Sequence, residues 1–246
     1  MNKKKKTLII TSLTSCNGCL FSILDLGETF FKALKNFEMT DFHLIEDKKN
    51  NSEIKAPQIK IDVAFIEGTV TTEEEKIKLE RLRQKTKILI ALGACAHLGN
   101  IQKIKDYGDK DKILKYVYPS SEGKISNQKI QPLSAYVPVD FVIPGCPPNN
   151  QEILEVLKQI ALGTKPHLPK YPVCYECQIK NYPCLLLEGK PCLGPMIRGG
   201  CEAICLKGNL PCTGCRGRVD EPNEEKMQEL LGNKEYERVL EIFGNK

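Results

Sequence analysis

At 246 residues, with 41% hydrophobic and 27% charged side chains, the chain has room for one large domain or two modest ones. This composition excludes a disordered chain, a collagen-like repeat and a membrane protein. The 36 basic and 31 acidic residues leave a net charge of +5, too mild and too evenly spread to imply a nucleic-acid partner. Cysteine is the departure from the ordinary, with 12 in total and eight of them between Cys174 and Cys215.

The Lys3–Lys6 run at the start reads as solvated charge. The apolar stretch Leu8–Leu13 behind it has six residues, two of them polar, and is shorter than the roughly 7–15 apolar residues of a secretory signal. It reads instead as a buried strand. No twin arginine precedes it. The longest apolar run elsewhere, near Ile88–Ala96, falls far short of the roughly 20 residues a membrane span requires. A cytoplasmic protein is expected, in which thiols stay reduced and clustered cysteines serve metals more readily than disulfides.

From about residue 7 to 163, strand and helix patterns alternate. Ser22–Leu34 carries Ile23, Leu26, Phe30, Ala33 and Leu34 at helical spacing. Phe42–Ile45 and Ile61–Ile66 read as strands. Thr72 and Glu75 form a capping-box pattern with an acidic first turn, opening a helix. Lys87–Leu92 and the short Phe141–Ile143 are the next strands. Asn149 and Asn150 cap a helix that presents Ile153, Val156, Leu157, Ile160 and Ala161 on one face and ends at Gly163. Continuous apolar strands between helices predict a parallel sheet covered on both faces, an α/β architecture for residues 1–163.

Residues 164–246 form the second expected unit. Between Tyr171 and Gly217 no period of 2 or 3.6 persists, and proline and glycine punctuate the chain. Such a segment buries too little apolar surface to fold unaided, and its eight cysteines are the obvious staples. Residues 222–246 return to charge-rich, helix-like sequence with a mostly solvated face.

The other four cysteines follow predicted strands. Cys16 and Cys19 come after the first, Cys95 after Lys87–Leu92 and Cys146 after Phe141–Ile143. The carboxyl edge of an open α/β sheet is where ligands bind, so four thiols distant in sequence converge on one rim. Glu67 reaches the same rim after the Ile61–Ile66 strand. The last eight, Cys174, Cys177, Cys184, Cys192, Cys201, Cys205, Cys212 and Cys215, divide most simply into two sets of four. Four thiolates suit either one zinc or one [4Fe–4S] cluster. The scattered first site and the absence of paired hairpin-like knuckles favour iron–sulfur. Three such sites would form a wire for single electrons. Neither a GxGxxG nucleotide fingerprint after a strand nor a P-loop is present to serve as its end. His43, His97 and His167 are scattered, and an ordinary surface or satisfied histidine is the simpler reading for each, although His97 lies two residues from Cys95.

Several short runs occur in order: Thr14-Ser15-Cys16-Asn17-Gly18-Cys19, Phe65-Ile66-Glu67-Gly68, Gly93-Ala94-Cys95-Ala96, Pro144-Gly145-Cys146-Pro147-Pro148, Cys192-Leu193-Gly194-Pro195 and Pro211-Cys212-Thr213-Gly214-Cys215. With them, the chain resembles the small subunit of [NiFe]-hydrogenases from Cys16 to about Gly217, roughly four-fifths of its length. The resemblance implies a flavodoxin-like parallel-sheet domain followed by a small irregular iron–sulfur domain, with three [4Fe–4S] clusters. Cys16, Cys19, Cys95 and Cys146 would hold the proximal cluster. Cys174, Cys177, Cys184 and Cys192 would hold the distal one, and Cys201, Cys205, Cys212 and Cys215 the medial one. The Ni–Fe centre would lie on an obligate large subunit. Glu67 matches a glutamate near the subunit interface, for which proton transfer or a structural hydrogen bond is implied.

Two positions depart from the membrane-linked, periplasmic branch, which commonly has histidine as the first distal ligand and a [3Fe–4S] medial cluster. Here Cys174 and Cys205 stand at those positions. Thiolate in place of imidazole adds negative charge and lowers a potential. The chain thus resembles the cytoplasmic, multimeric branch, whose partners are flavin- and NAD(P)-linked or heterodisulfide-reductase-type electron-accepting subunits. Ser22–Glu28 is most similar to sulfhydrogenase delta subunits. Two rival readings are a zinc-stabilised interaction scaffold and a stand-alone polyferredoxin-like carrier.

Overall fold

The computed structural model describes residues 5–42, 44, 60–120 and 128–245. Lys3, Lys4, His43 and Ile45 lie outside them. Five parallel strands, β1 (Lys6–Ser12), β2 (Phe37–Phe42), β3 (Ile61–Glu67), β4 (Thr86–Leu92) and β5 (Phe141–Ile143), form one sheet in the order β2-β1-β3-β4-β5. This is the flavodoxin-like order that the family resemblance implies, on the parallel sheet that the alternating pattern predicts. The central strand β3 is buried along almost its whole length, which is why Val63–Ile66 at its centre reads as a continuous apolar run.

Helices cover both faces, and a further helix, α5 (Lys110–Val117), lies between β4 and β5 in the chain. On one side α1 (Gly18–Leu24), α2 (Glu28–Ala33) and α6 (Asn150–Leu162) pack Leu20, Ile23, Phe30, Ile153, Val156, Leu157 and Ile160 against Leu8, Ile10, Phe65 and Ile90. On the other, α3 (Glu73–Lys85) packs Leu79 and Leu82 against Ile9, Ala64, Ile66 and Leu89. The Thr72 hydroxyl accepts the Glu75 N–H at 3.2 Å, as expected of the cap. The Glu75 carboxylate turns instead to the Thr71 N–H.

Two elements differ from the sequence reading. The periodic stretch Ser22–Leu34 is two helices, because Gly27 has φ +52 and interrupts the ladder. Strand β2 runs Phe37–Phe42 rather than beginning at Phe42. It lies at the sheet edge, where Glu38, Thr40 and Asp41 face partial solvent, so its polar residues mask it.

The carboxyl ends of the strands form a level row. Ser12 pairs with Glu67, Glu67 with Leu92 and Leu92 with Ile143, so four strands stop level with one another. The loops leaving that row begin side by side.

After Gly163 closes α6 in a left-handed conformation, φ +82, regular structure becomes sparse. Helices α7 (Val173–Ile179) and α8 (Ile204–Lys207) are short. Loops are tied by main-chain bonds such as Val173 N–H to Ile197 O (2.8 Å) and Leu193 N–H to Cys212 O (2.9 Å). Helices α9 (Glu224–Leu231) and α10 (Asn233–Glu241) then lay Met227, Tyr236, Val239 and Leu240 over Leu193, Met196 and Ile197, forming a third core.

Candidate metal centres

All 12 cysteines are unpaired. The first four sit where the level strand ends deliver them. Cys16 precedes α1 and Cys19 lies within it. Cys95 lies in α4 (Gly93–Leu98), which springs directly from β4, and Cys146 follows β5 by three residues. Their mutual electrostatic influence marks them as one group, with Cys19 acted on by Cys95 and Cys146, and Cys95 by Cys146 and Cys16. Burial pushes the Cys19 thiol far above its ordinary pKa, and the neighbouring Glu67 charge adds to it. Burial also raises Cys95 and Cys146. Such thiols are poor nucleophiles at neutral pH, and they become thiolates when a metal cation takes the sulfur.

The backbone is shaped to approach these sulfurs. A Cβ on Gly93, where φ is +85, would fall inside the van der Waals shell of Cys19 Sγ, and one on Gly18 would lie 3.2 Å from Cys16 Sγ. Asn100 donates its side-chain amide to Cys95 Sγ (3.3 Å) and Cys146 Sγ (3.5 Å). Glu67, at the end of β3 and 1% exposed, accepts the Cys19 N–H at 3.2 Å through Oε1. Its Oε2 is buried without a hydrogen-bond partner. Burial raises its pKa, opposed by the Cys19 and Leu20 N–H groups.

The remaining eight form two neighbouring groups. Cys174 and Cys177, both on α7, line a small cavity with Cys184 and Cys192. Burial and then Cys192 push the Cys174 thiol up to about 12. A Cβ at Gly194 would lie 3.2 Å from Cys174 Sγ. Cys201, Cys205, Cys212 and Cys215 line a larger cavity of about 640 Å³, bounded also by Cys146, Phe21 and Ile204. There burial pushes Cys215 up to about 12 and raises Cys212 well above the ordinary thiol value. The three groups are not isolated. The Cys212 N–H donates to Cys192 Sγ at 3.3 Å, and Cys146 lines the cavity of the third group. A main-chain hydrogen bond thus joins the third group to the second, and the first group borders the third.

Acceptor sulfurs, N–H donors aimed at them and glycines that let the backbone close in make a donor set suited to iron–sulfur ligation. A tetrahedral zinc site draws its sulfurs to within about 4 Å of one another. Among the described residues no three His, Cys, Asp or Glu side chains gather tightly enough to hold a single metal ion.

Three supporting residues escape sequence reasoning. Asn100 has no motif. Arg216, 1% exposed, donates to Glu152 Oε1 (2.6 Å), Gly199 O (2.7 Å) and Pro144 O (3.1 Å). Glu176, between Cys174 and Cys177, accepts the N–H groups of Gly200 and Ala203 at the head of the third group. The only signal for the last two was a charge beside a cysteine in an otherwise apolar, turn-rich stretch. His97 is half-buried and held neutral at neutral pH, its pKa lowered to about 4 by desolvation and then by the Arg198 charge. His167 is not among the residues lining either cavity.

Residues 16–160 match the family model described as NADH ubiquinone oxidoreductase, 20 Kd subunit, over more than half of the chain. The sulfhydrogenase 2 subunit delta of Pyrococcus furiosus is 37% identical, covering 95% of this chain and 97% of the relative. This chain belongs to that family, among its hydrogenase small subunits. A second member, a subunit of the F420-non-reducing hydrogenase vhu of Methanocaldococcus jannaschii, is 34% identical over 85% of this chain and 80% of its own length. An NAD+-reducing [NiFe]-hydrogenase, solved in its H2-reduced state, superposes on this small subunit with a TM-score of 0.57 at 25% identity, covering 68% of this chain and 96% of that one. Among the described residues of the small subunit no helix is long and apolar enough to cross a membrane.

Proposed function

We propose that this hydrogenase small subunit carries electrons through three [4Fe–4S] sites between the Ni–Fe centre of a large subunit and an electron-accepting subunit. The observation that carries the reading is the placement of twelve unpaired thiols, four just beyond the level strand ends, four lining one cavity and four lining a second. Cys16, Cys19, Cys95 and Cys146 would hold the proximal cluster, Cys201, Cys205, Cys212 and Cys215 the medial, and Cys174, Cys177, Cys184 and Cys192 the distal. Bound there, the clusters would supply one-electron redox chemistry. The thiols fix their spacing, and the N–H donors set how readily each accepts an electron.

Cys16 and Cys146 are exposed on the proximal rim, which suits an interface completed by the large subunit. Glu67 stands behind that rim with one unpartnered carboxylate oxygen, a position suited to receiving a proton from across the interface. Cys184, exposed in the distal group, suits an outlet. The NAD+-reducing hydrogenase among the structural neighbours favours an NAD(P)-linked flavin subunit as acceptor over a heterodisulfide-reductase-type one. Residues 1–163 would be the flavodoxin-like unit and 164–246 the iron–sulfur unit, in a cytoplasmic complex.

Metal analysis of the native complex tests the reading. About twelve iron and twelve sulfide per copy of this chain, beyond what the other subunits hold, are expected. About three zinc and no sulfide would establish the scaffold reading instead. Full loading on a chain that purifies alone would establish the stand-alone carrier.

A further inference from the structure

Asn100 sits where no motif calls for it. It follows Gly99, and the two residues have φ +86 and +49, so the chain doubles back immediately after α4. For a side-chain-bearing residue this left-handed conformation is unfavourable, with asparagine among the few that tolerate it. The turn drives the side chain under the proximal rim, where it is 2% exposed. Its amide nitrogen has two protons and faces two sulfurs, Cys95 Sγ at 3.3 Å and Cys146 Sγ at 3.5 Å. These thiols follow different strands, Cys95 after β4 and Cys146 after β5, so one side chain spans the site. Its carbonyl oxygen is buried with no donor. A buried amide that leaves its acceptor unmatched while both donors meet sulfur is held for its donor end.

We infer that Asn100 is a positioning residue that sets the reduction potential of the proximal site, by donating to the sulfurs of Cys95 and Cys146. The inference rests on the iron–sulfur reading proposed for this rim. Reduction adds an electron to the site and makes its sulfurs stronger acceptors, so N–H donors stabilise the reduced form and raise the potential. Asn100→Asp is nearly isosteric and tolerates the same φ, yet it removes both donors and places a carboxylate beside the thiolates.

An EPR-monitored redox titration of the assembled native complex decides the matter. In Asn100→Asp the proximal site is expected to be at least tenfold harder to reduce, a downward shift of about 59 mV or more for one electron. The medial and distal midpoints are expected to stay in place, and iron content to equal that of the wild type. An unmoved proximal midpoint at full iron content overturns the inference, and so does an equal shift of all three sites. Should the variant fail to retain iron, the wild-type complex grown on side-chain-15N asparagine replaces it. A 15N coupling on the proximal signal that is absent from Asn100→Ser is then expected, and its absence from the wild type overturns the inference. Wild-type protein that holds no iron refutes the iron–sulfur reading itself, a result distinguishable from every one of these.

Discussion

Gly93 is the residue on which the proximal rim turns. It leaves β4 with φ +85, and its missing side chain is the space Cys19 Sγ occupies. Gly93→Ala adds strain from the left-handed backbone to a clash with a sulfur that has a set place in the site. The expected outcome is loss of about a third of the iron, with the other two sites spectroscopically intact. Unchanged iron content and H2-dependent dye reduction would show that Cys19 is not confined by Gly93. A complementary substitution, Cys205→Pro, removes one medial thiol and is expected to convert that site to a [3Fe–4S] EPR signal, because three thiolates remain. An unchanged spectrum contradicts the assignment of Cys205. At this scale the sequence was legible where the residue type carries the chemistry. A cysteine after a strand announces itself, and Glu67 was found by its place at the end of Ile61–Ile66. Asn100 was not, because a buried amide looks in sequence like any turn asparagine, and only the fold brings two sulfurs beside it.

Among the elements, α6 joins the sheet to the irregular segment through its cap. Asn149 Oδ1 accepts the Gln151 N–H at 2.8 Å, and Asn149 Nδ2 donates to Gly200 O at 2.9 Å, next to Cys201. Losing the cap costs about 1 kcal/mol, and losing the second bond about 1 kcal/mol more. Asn149→Ser retains a capping oxygen but does not reach Gly200. Thermal unfolding should therefore rank wild type above Asn149→Ser, and Asn149→Ser above Asn149→Ala. Serine and alanine variants of equal stability would show that the cap contributes nothing. The cap was legible in sequence, since Asn before an amphipathic stretch is a local signal. Its second bond was not, because Gly200 lies 51 residues away. The same division explains the other elements. Strands β3 and β4, buried on both faces, read as apolar runs. Edge strand β2 hid behind Glu38, Thr40 and Asp41, and Gly27 split a helix whose period continued across it.

Across the whole molecule, the two halves meet at the buried Arg216. Its guanidinium binds Pro144 O just before Cys146, Gly199 O just before the medial thiols, and the Glu152 carboxylate on α6. One side chain therefore ties the loop of Cys146 to the loop before Cys201, a spacing on which the proposed electron relay would depend. The ion pair is not evidence of net stability in itself, because desolvating both charges offsets most of their attraction. Breaking it is another matter. Arg216→Met strands the Glu152 carboxylate in a buried site, and burial already raises its pKa with only Arg216 opposing. The single variant should lose about 3–5 kcal/mol of stability. The double variant Arg216→Met with Glu152→Leu removes the stranded charge and should recover much of that loss, since the residues are in contact and their effects are not additive. Both variants lose the donors to Pro144 and Gly199, so both should still show a disturbed medial EPR signal. Thermal unfolding and EPR on the same preparations separate the two roles. If the double variant is as unstable as the single one, the pair is not what the charge balance requires. If the medial signal is normal in both, Arg216 stabilises the fold without setting the spacing between sites.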